Sequence, residues 1–211
     1  MSIIIYFLIA ILSFHSSNAQ STLQTVNGTI NVLVGTTSGC PFAANFVTTQ
    51  VVQTYEKYKQ FLNIDFVPWG RTRRVNGSLI CQFGEADCWA NRLKRCVISL
   101  LSGNLDAQVQ YMSCEFTTFA ALRQRSFACA VDAGLNLIDV DYCVSVTGDA
   151  LEGPAEEVST PAIATINAIP FIILNNNIDV SLDAQARRRL ESFICFALAD
   201  DPTTGITHCK I

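Results

Sequence analysis

Nine cysteines constrain this chain more than any other feature, because an odd number cannot all pair. Eight of them, Cys81, Cys88, Cys96, Cys114, Cys129, Cys143, Cys195 and Cys209, lie in the stretch that runs to the C-terminus, and Cys40 stands apart. Disulfides form where a chain meets oxidising conditions, so export is the first question. Ile3 to Phe14 is an almost unbroken apolar run, too short for a comfortable membrane span. It is followed by Ser17-Asn18-Ala19, with small residues where a signal peptidase reads. Residues 1–19 are therefore expected to be a cleaved secretory signal. Two N-glycosylation sequons lie behind it in turn-like contexts, Asn27-Gly28-Thr29 and Asn76-Gly77-Ser78, with Asn27 and Asn76 as acceptors. The eight cysteines are expected to form four bridges, with Cys40 left free. Eight cysteines allow on the order of a hundred pairings. The connectivity of the central six stays open, and only Cys195–Cys209 is expected, because a terminal helix followed by a short tail can fold back.

Several function classes fall away. The net charge of -4 and pI near 5.1 argue against a nucleic-acid partner. The basic clusters Arg71, Arg73, Arg74 and Arg187, Arg188, Arg189 read as solvated faces. The only histidines are His15, inside the signal, and His208, near the C-terminus, so hydrolase chemistry with a histidine base has no support in the mature body. Cys-x2-Cys pairs, glycine-rich dinucleotide fingerprints and Walker loops are absent from the sequence, so neither a bound metal nor a bound cofactor is expected. No other segment holds 18 consecutive apolar residues, so no membrane association is expected after signal removal.

Periodicity sets the order of elements. Thr29 to Gly35 alternates and is rich in β-branched residues, which predicts a strand. Pro41 suits the first position of a helix, where a missing N–H costs nothing. From there Phe46, Val47, Val51, Val52, Tyr55, Tyr58, Phe61 and Leu62 recur at helical spacing. Leu62 to Trp69 predicts a second strand, which Pro68 ends or places at an edge. A polar loop with a short apolar piece, Ser78 to Phe83, leads to a helix over Cys88–Leu101 and further helical pieces near 106–124, 126–133 and 137–147. A polar linker is expected over Thr147–Pro161, then a strand, an Asn-rich turn and a short second strand over 168–180, and a terminal helix over 183–199. This predicts an α/β, thioredoxin-like fold, a mixed sheet flanked by helices. A tail (20–28) precedes a single domain (29–211), which holds a disulfide-rich helical insertion at about 84–147.

The stretch "VLVGTTSGCPFAANFV" places Cys40 where the first strand enters the first helix. A thiolate is the reactive form of cysteine, and first-turn N–H groups, here those of Phe42 and Ala43, together with the helix dipole favour it. A second cysteine three residues on would complete a Cys-x-x-Cys site, but that position is Ala43.

The stretch "CQFGEADCWANRLKRC", Cys81 to Cys96, resembles the signature of the gamma-interferon-inducible lysosomal thiol reductase family. Cys81, Gln82, Gly84, Asp87, Cys88, Asn91 and Cys96 match it, and Phe83 stands where that signature has histidine. The sequon at Asn76 and the apolar strand around Ile169-Pro170-Phe171 also look like this family. The resemblance implies a thioredoxin fold and reduction of protein disulfides in a lysosomal or extracellular setting. It maps the nucleophile onto Cys40 and implies a cis Pro170 against it. Ala43 is then a degenerate resolving position. Three readings follow. Cys40 can form a mixed disulfide that an external thiol, glutathione or free cysteine, must release. The chain can instead be a non-catalytic secreted binding protein on the same scaffold. Or Cys40 can link two chains, the oligomeric state being open. Disulfide-containing proteins are the expected partners of the first.

Overall fold

The computed structural model describes residues 23–209, and the signal expected over residues 1–19 lies outside them. Alternation builds the sheet. In β1 (Ile30–Thr36) the side chains of Ile30, Val32 and Val34 are buried, as are Leu62, Ile64 and Phe66 of β2 (Leu62–Pro68). The two strands are parallel, in register from Ile30↔Leu62 to Thr36↔Pro68. Parallel neighbours need a crossover. It consists of α1 (Pro41–Phe46), a π turn over Val47–Val51, and α2 (Val52–Tyr58). The third strand, β5 (Phe171–Leu174), is buried at every position and runs antiparallel to the other side of β1, giving the order β2-β1-β5. A Cβ at Gly35 would lie 2.0 Å from the Phe171 ring, so glycine is required where β1 and β5 close. Pro68 sits at the end of an edge strand, where its missing N–H breaks no ladder bond.

Between β2 and β5 lies the insertion. Arg73–Val75 (β3) and Ser78–Ile80 (β4) form a hairpin. Its turn is Asn76-Gly77, both with positive φ, the pairing that favours a tight hairpin. Helices α3 (Glu85–Leu100), α4 (Leu105–Thr118), α5 (Ala120–Gln124), α6 (Ala128–Asp132) and α7 (Leu137–Tyr142) follow. Cys81–Cys88, Cys96–Cys143 and Cys114–Cys129 bridge this region, and Cys195–Cys209 ties the C-terminal segment back.

The polar linker expected over 147–161 is instead a 3-10 turn, Gly148–Leu151, and a helix, α8 (Glu152–Ile166), so the helical insertion reaches 166 rather than 147. Pro154 falls in the helix's first turn, where no N–H is needed. Pro161 lies on the exposed side, and Ala155, Ser159, Ala162 and Ile166 form the buried stripe. The short second strand expected near 178–180 is likewise not formed. Leu174 and Asn177 make one isolated bridge, and Asp179 caps α9 (Val180–Ala199) by accepting from the Leu182 N–H at 2.8 Å. A short polar residue before a helical run serves as a cap more readily than as a strand.

Helix α9 packs on β5, and its Leu182, Ala186, Leu190 and Ile194 are buried. Its backbone breaks at Arg189. There Gln50, from the π turn, donates to the Arg187 carbonyl and accepts from the Leu190 N–H, each at 2.8 Å. A side chain inserted into the ladder is a sufficient cause of a kink. The arginine clusters are only partly solvated. Arg74 pairs with Glu152 and Glu156, Arg71 donates to the Asn167 carbonyl, and Arg187 pairs with the buried Asp183. Arg73, Arg188 and Arg189 are exposed. Among the described residues, no helix is long and apolar enough to cross a membrane.

Candidate functional site

Strand β1 ends in a turn, Thr37-Ser38-Gly39, closed by the Cys40 N–H donating to the Thr37 carbonyl at 3.2 Å. Cys40 is the N-cap of α1, with extended backbone, and its carbonyl accepts the first helical bond from Ala44 at 3.1 Å. Pro41 is the first helical residue, as its fixed φ favours. Cys40 carries the one free thiol among the described cysteines.

The sulfur does not take the hydrogen bonds expected of it. No first-turn N–H group, of Phe42 or Ala43, donates to it. Instead the thiol donates to the Ile169 carbonyl at 3.7 Å, directly before the cis Ile169-Pro170 bond. Cys40 is 4% exposed and Ala43 fully buried, whereas Phe42 is 74% exposed. A cavity of about 310 Å³ opens beside them, lined by Phe42, Asn45, Phe46, Gln50, Ile169, Pro170 and Arg187. A more apolar cavity of about 370 Å³ lies between β2, α3 and α8, and is lined by neither Cys40 nor Pro170.

The signature residues split by role. Gly84 caps α3 with φ of +85°, a conformation that favours glycine. Asp87 and Asn91, one turn apart on α3, are buried against the turn before Cys40 and hydrogen-bond to it. Cys81–Cys88 and Cys96–Cys143 are bridges and so carry no thiol chemistry in this state. Gln82 is exposed. Phe83 is 44% exposed and its ring lies over Gly39, where an added Cβ would come within 2.5 Å of it. Thr37, Ser38 and the Ile169 carbonyl were not legible as site groups. Thr37 and Ser38 read as an ordinary polar turn, and a backbone carbonyl has no signal in sequence.

Deeper in the insertion, Lys94 is enclosed with its ammonium 3.7 Å from the centre of the Phe116 ring. Burial pushes it down to about 8, against the pull of Glu115 and Asp87. Burial also raises the Glu115 carboxyl, with Lys94 opposing. Among the described residues, no cluster of three or more His, Cys, Asp or Glu side chains is placed to hold a metal ion.

The family described as "Gamma interferon inducible lysosomal thiol reductase (GILT)" matches residues 31–133, which run from β1 through Cys40 and the whole signature to α6. Over this span, just under half of its length, the chain is similar to the GILT family. A GILT-like protein 1 of Drosophila melanogaster is 25% identical over 181 residues, covering 74% of this chain and 70% of that protein. A gamma-interferon-inducible lysosomal thiol reductase-like protein of Anopheles gambiae is 22% identical over 180 residues, covering 77% and 74%. In fold, this chain is similar to DsbA of Chlamydia trachomatis, with a TM-score of 0.53 at 11% identity, covering 83% of this chain and 93% of that one. DsbA of Pseudomonas aeruginosa gives 0.50 at 12% identity, covering 89% and 91%. The fold is thioredoxin-like, and the matching family is described as one of thiol reductases. This chain has Cys40 at the helix start and Ala43 three residues on.

Proposed function

We propose that this chain carries out thiol–disulfide exchange on disulfide-containing proteins by a monothiol route through Cys40. The observation that carries the reading is the placement of its free thiol, at the start of α1 with its sulfur 3.7 Å from the Ile169 carbonyl beside cis Pro170. The Cys40 thiolate attacks one sulfur of a disulfide R–S–S–R′. A Cys40–S–S–R bond forms, and R′–S⁻ leaves and takes up a proton. In a dithiol site a second cysteine would complete the cycle from within. Ala43 has no sulfur, so an external thiol of the glutathione or cysteine type does so. It attacks the Cys40 sulfur, releases R–SH, and leaves Cys40 bound to that thiol. A second external thiol then frees Cys40 as the oxidised dimer of the external thiol departs. No bound cofactor is required. Secretion or delivery to a lysosome fits four disulfides in the folded chain and the expected signal. Both Asn27 and Asn76 are exposed in turns, where glycans would be accommodated.

A second reading, a non-catalytic binding protein on the same scaffold, is favoured by the 4% exposure of Cys40. Incubation of the folded protein with oxidised glutathione, followed by intact mass and peptide mapping, separates the two. The monothiol reading expects one glutathione adduct, on Cys40, removed by added reduced glutathione and lost in Cys40→Ser. No adduct on the folded protein would leave the binding reading. A disulfide-linked dimer through Cys40 would point to covalent pairing of two chains instead.

A further inference from the structure

The insertion lends two side chains to the turn that carries Cys40. Asp87 and Asn91 sit on α3, and both are buried, as are Thr37 and Ser38 opposite them. The Thr37 hydroxyl donates to the Asp87 carboxylate, at 2.7 Å from Oδ2 and 2.9 Å from Oδ1. Asp87 also accepts from the Gly39 N–H at 2.9 Å and from the Phe83 N–H at 3.3 Å. Asn91 Oδ1 accepts from both the Ser38 N–H and the Ser38 hydroxyl at 2.8 Å, and its Nδ2 donates to the Thr37 hydroxyl at 2.9 Å. Every residue of the turn is thereby tied to α3.

We propose that Asp87 and Asn91 are positioning residues for Cys40: the helical insertion, through Thr37, Ser38 and Gly39, fixes where the sulfur stands. Cys40 has few ties of its own. Its N–H reaches back to Thr37, its carbonyl enters α1, and its thiol touches the Ile169 carbonyl. The direction of its Cα–Cβ bond is therefore set by the turn before it, and that turn is held by a buried carboxylate and a buried amide. Buried polar groups with every partner in place are rigid, because each lost bond leaves a desolvated group unpaired. The same carboxylate holds the Phe83 N–H, so the aromatic ring over Gly39 is registered to the same anchor. This gives a physical role to two buried signature positions that carry no thiol.

The inference rests on the monothiol reading for its functional meaning, and the test keeps the two apart. Thr37→Val removes the shared hydroxyl at nearly constant shape, and Thr37→Ser retains it. Asp87→Asn removes the charge. Two quantities are read on the folded mature protein. One is the rate at which oxidised glutathione adds to Cys40, by intact mass. The other is amide hydrogen exchange over residues 37–43, with α3 as internal reference. We expect Thr37→Val and Asp87→Asn to add glutathione at least tenfold more slowly, and to exchange over 37–43 at least tenfold faster with α3 unchanged. Thr37→Ser should stay within twofold of the parent in both. A merely structural role would lower the thermal midpoint without this rescue and without a change of rate well below that midpoint. If the parent forms the adduct and Thr37→Val forms it equally fast, the positioning role is refuted and the monothiol reading stands. If the parent forms none, the monothiol reading fails and exchange decides: unchanged protection over 37–43 in Thr37→Val overturns the positioning role, and a tenfold loss upholds it. Should Asp87→Asn fail to fold, the Thr37 pair carries the test.

Discussion

Ala43→Cys asks whether the missing sulfur is all that separates this site from a dithiol one. Ala43 lies in the first turn of α1, three residues after the N-cap Cys40, and both side chains are buried. Residues three apart on a helix have Cβ atoms about 5–6 Å apart, and a disulfide accepts Cα separations of roughly 4.4–6.8 Å. The new sulfur is thus within reach after small movements. It enters a fully packed position, and overpacking costs about 1–3 kcal/mol, which a folded domain survives. Kinetically, an internal thiol acts at an effective concentration of about millimolar or more, and more when oriented. The assay loads Cys40 with glutathione, removes all free thiol, and follows the adduct by intact mass. The parent should keep its adduct. Ala43→Cys should discharge glutathione as a thiol and form an internal bridge between Cys40 and the introduced sulfur, with an adduct half-life shortened at least about tenfold. Equal persistence in both proteins would mean that position 43 cannot reach the Cys40 sulfur, and the description of a dithiol site lacking only its second sulfur would be wrong.

Other consequences follow from named contacts. Replacing Cys96 and Cys143 together by alanine opens a loop of sequence separation 47 and should cost about 4 kcal/mol, against about 2 for the Cys81–Cys88 pair with separation 7; urea midpoints in a Cys40→Ser background, where no free thiol can shuffle bridges, measure both. Lys94 is held down to about 8 in the fold against an ordinary 10.5, so above about pH 8 the unfolded chain retains a proton that the folded chain releases. Its contribution to stability therefore rises as pH goes from about 8 toward 10.5, and Lys94→Met should remove that slope from urea midpoints taken across the window. Gly35→Ala drives a methyl into the Phe171 ring and should lower stability by about 1–3 kcal/mol, with Phe171→Leu in the same chain recovering part of it.

The parts legible in sequence are those governed by local rules. Alternation gave β1 and β2, helical spacing gave α3 and α9, and Pro41 marked the start of α1. Where a residue has two local meanings, tertiary context chose the other one. The stretch with Pro154 and Pro161 reads as a polar linker, yet one proline sits in the first turn and the other on an exposed face of α8. Asp179 reads as part of a strand and serves as a cap. The pair Asn76-Gly77 is both a sequon and a hairpin turn, and the sequon and a turn are legible in sequence but not the two strands it joins. At the site, the free Cys40 and the cis Pro170 were legible, the second only through family resemblance. The hydrogen bonds of the sulfur were not, because the partner is the carbonyl of Ile169, which is 129 residues away in sequence. Nor were the partners of Asp87 and Asn91, since about fifty residues separate them from the turn they hold, and nothing in spacing announces that meeting.

The central claim, exchange through Cys40 with release by an external thiol, is tested most directly by turnover of a peptide disulfide as a function of added reduced glutathione, with the uncatalysed reaction subtracted. The account predicts no turnover beyond a single stoichiometric equivalent without glutathione, a catalysed rate that rises with glutathione concentration, and loss of that rate in Cys40→Ser. A catalysed rate that survives Cys40→Ser, or no catalysed rate at any glutathione concentration, would contradict it.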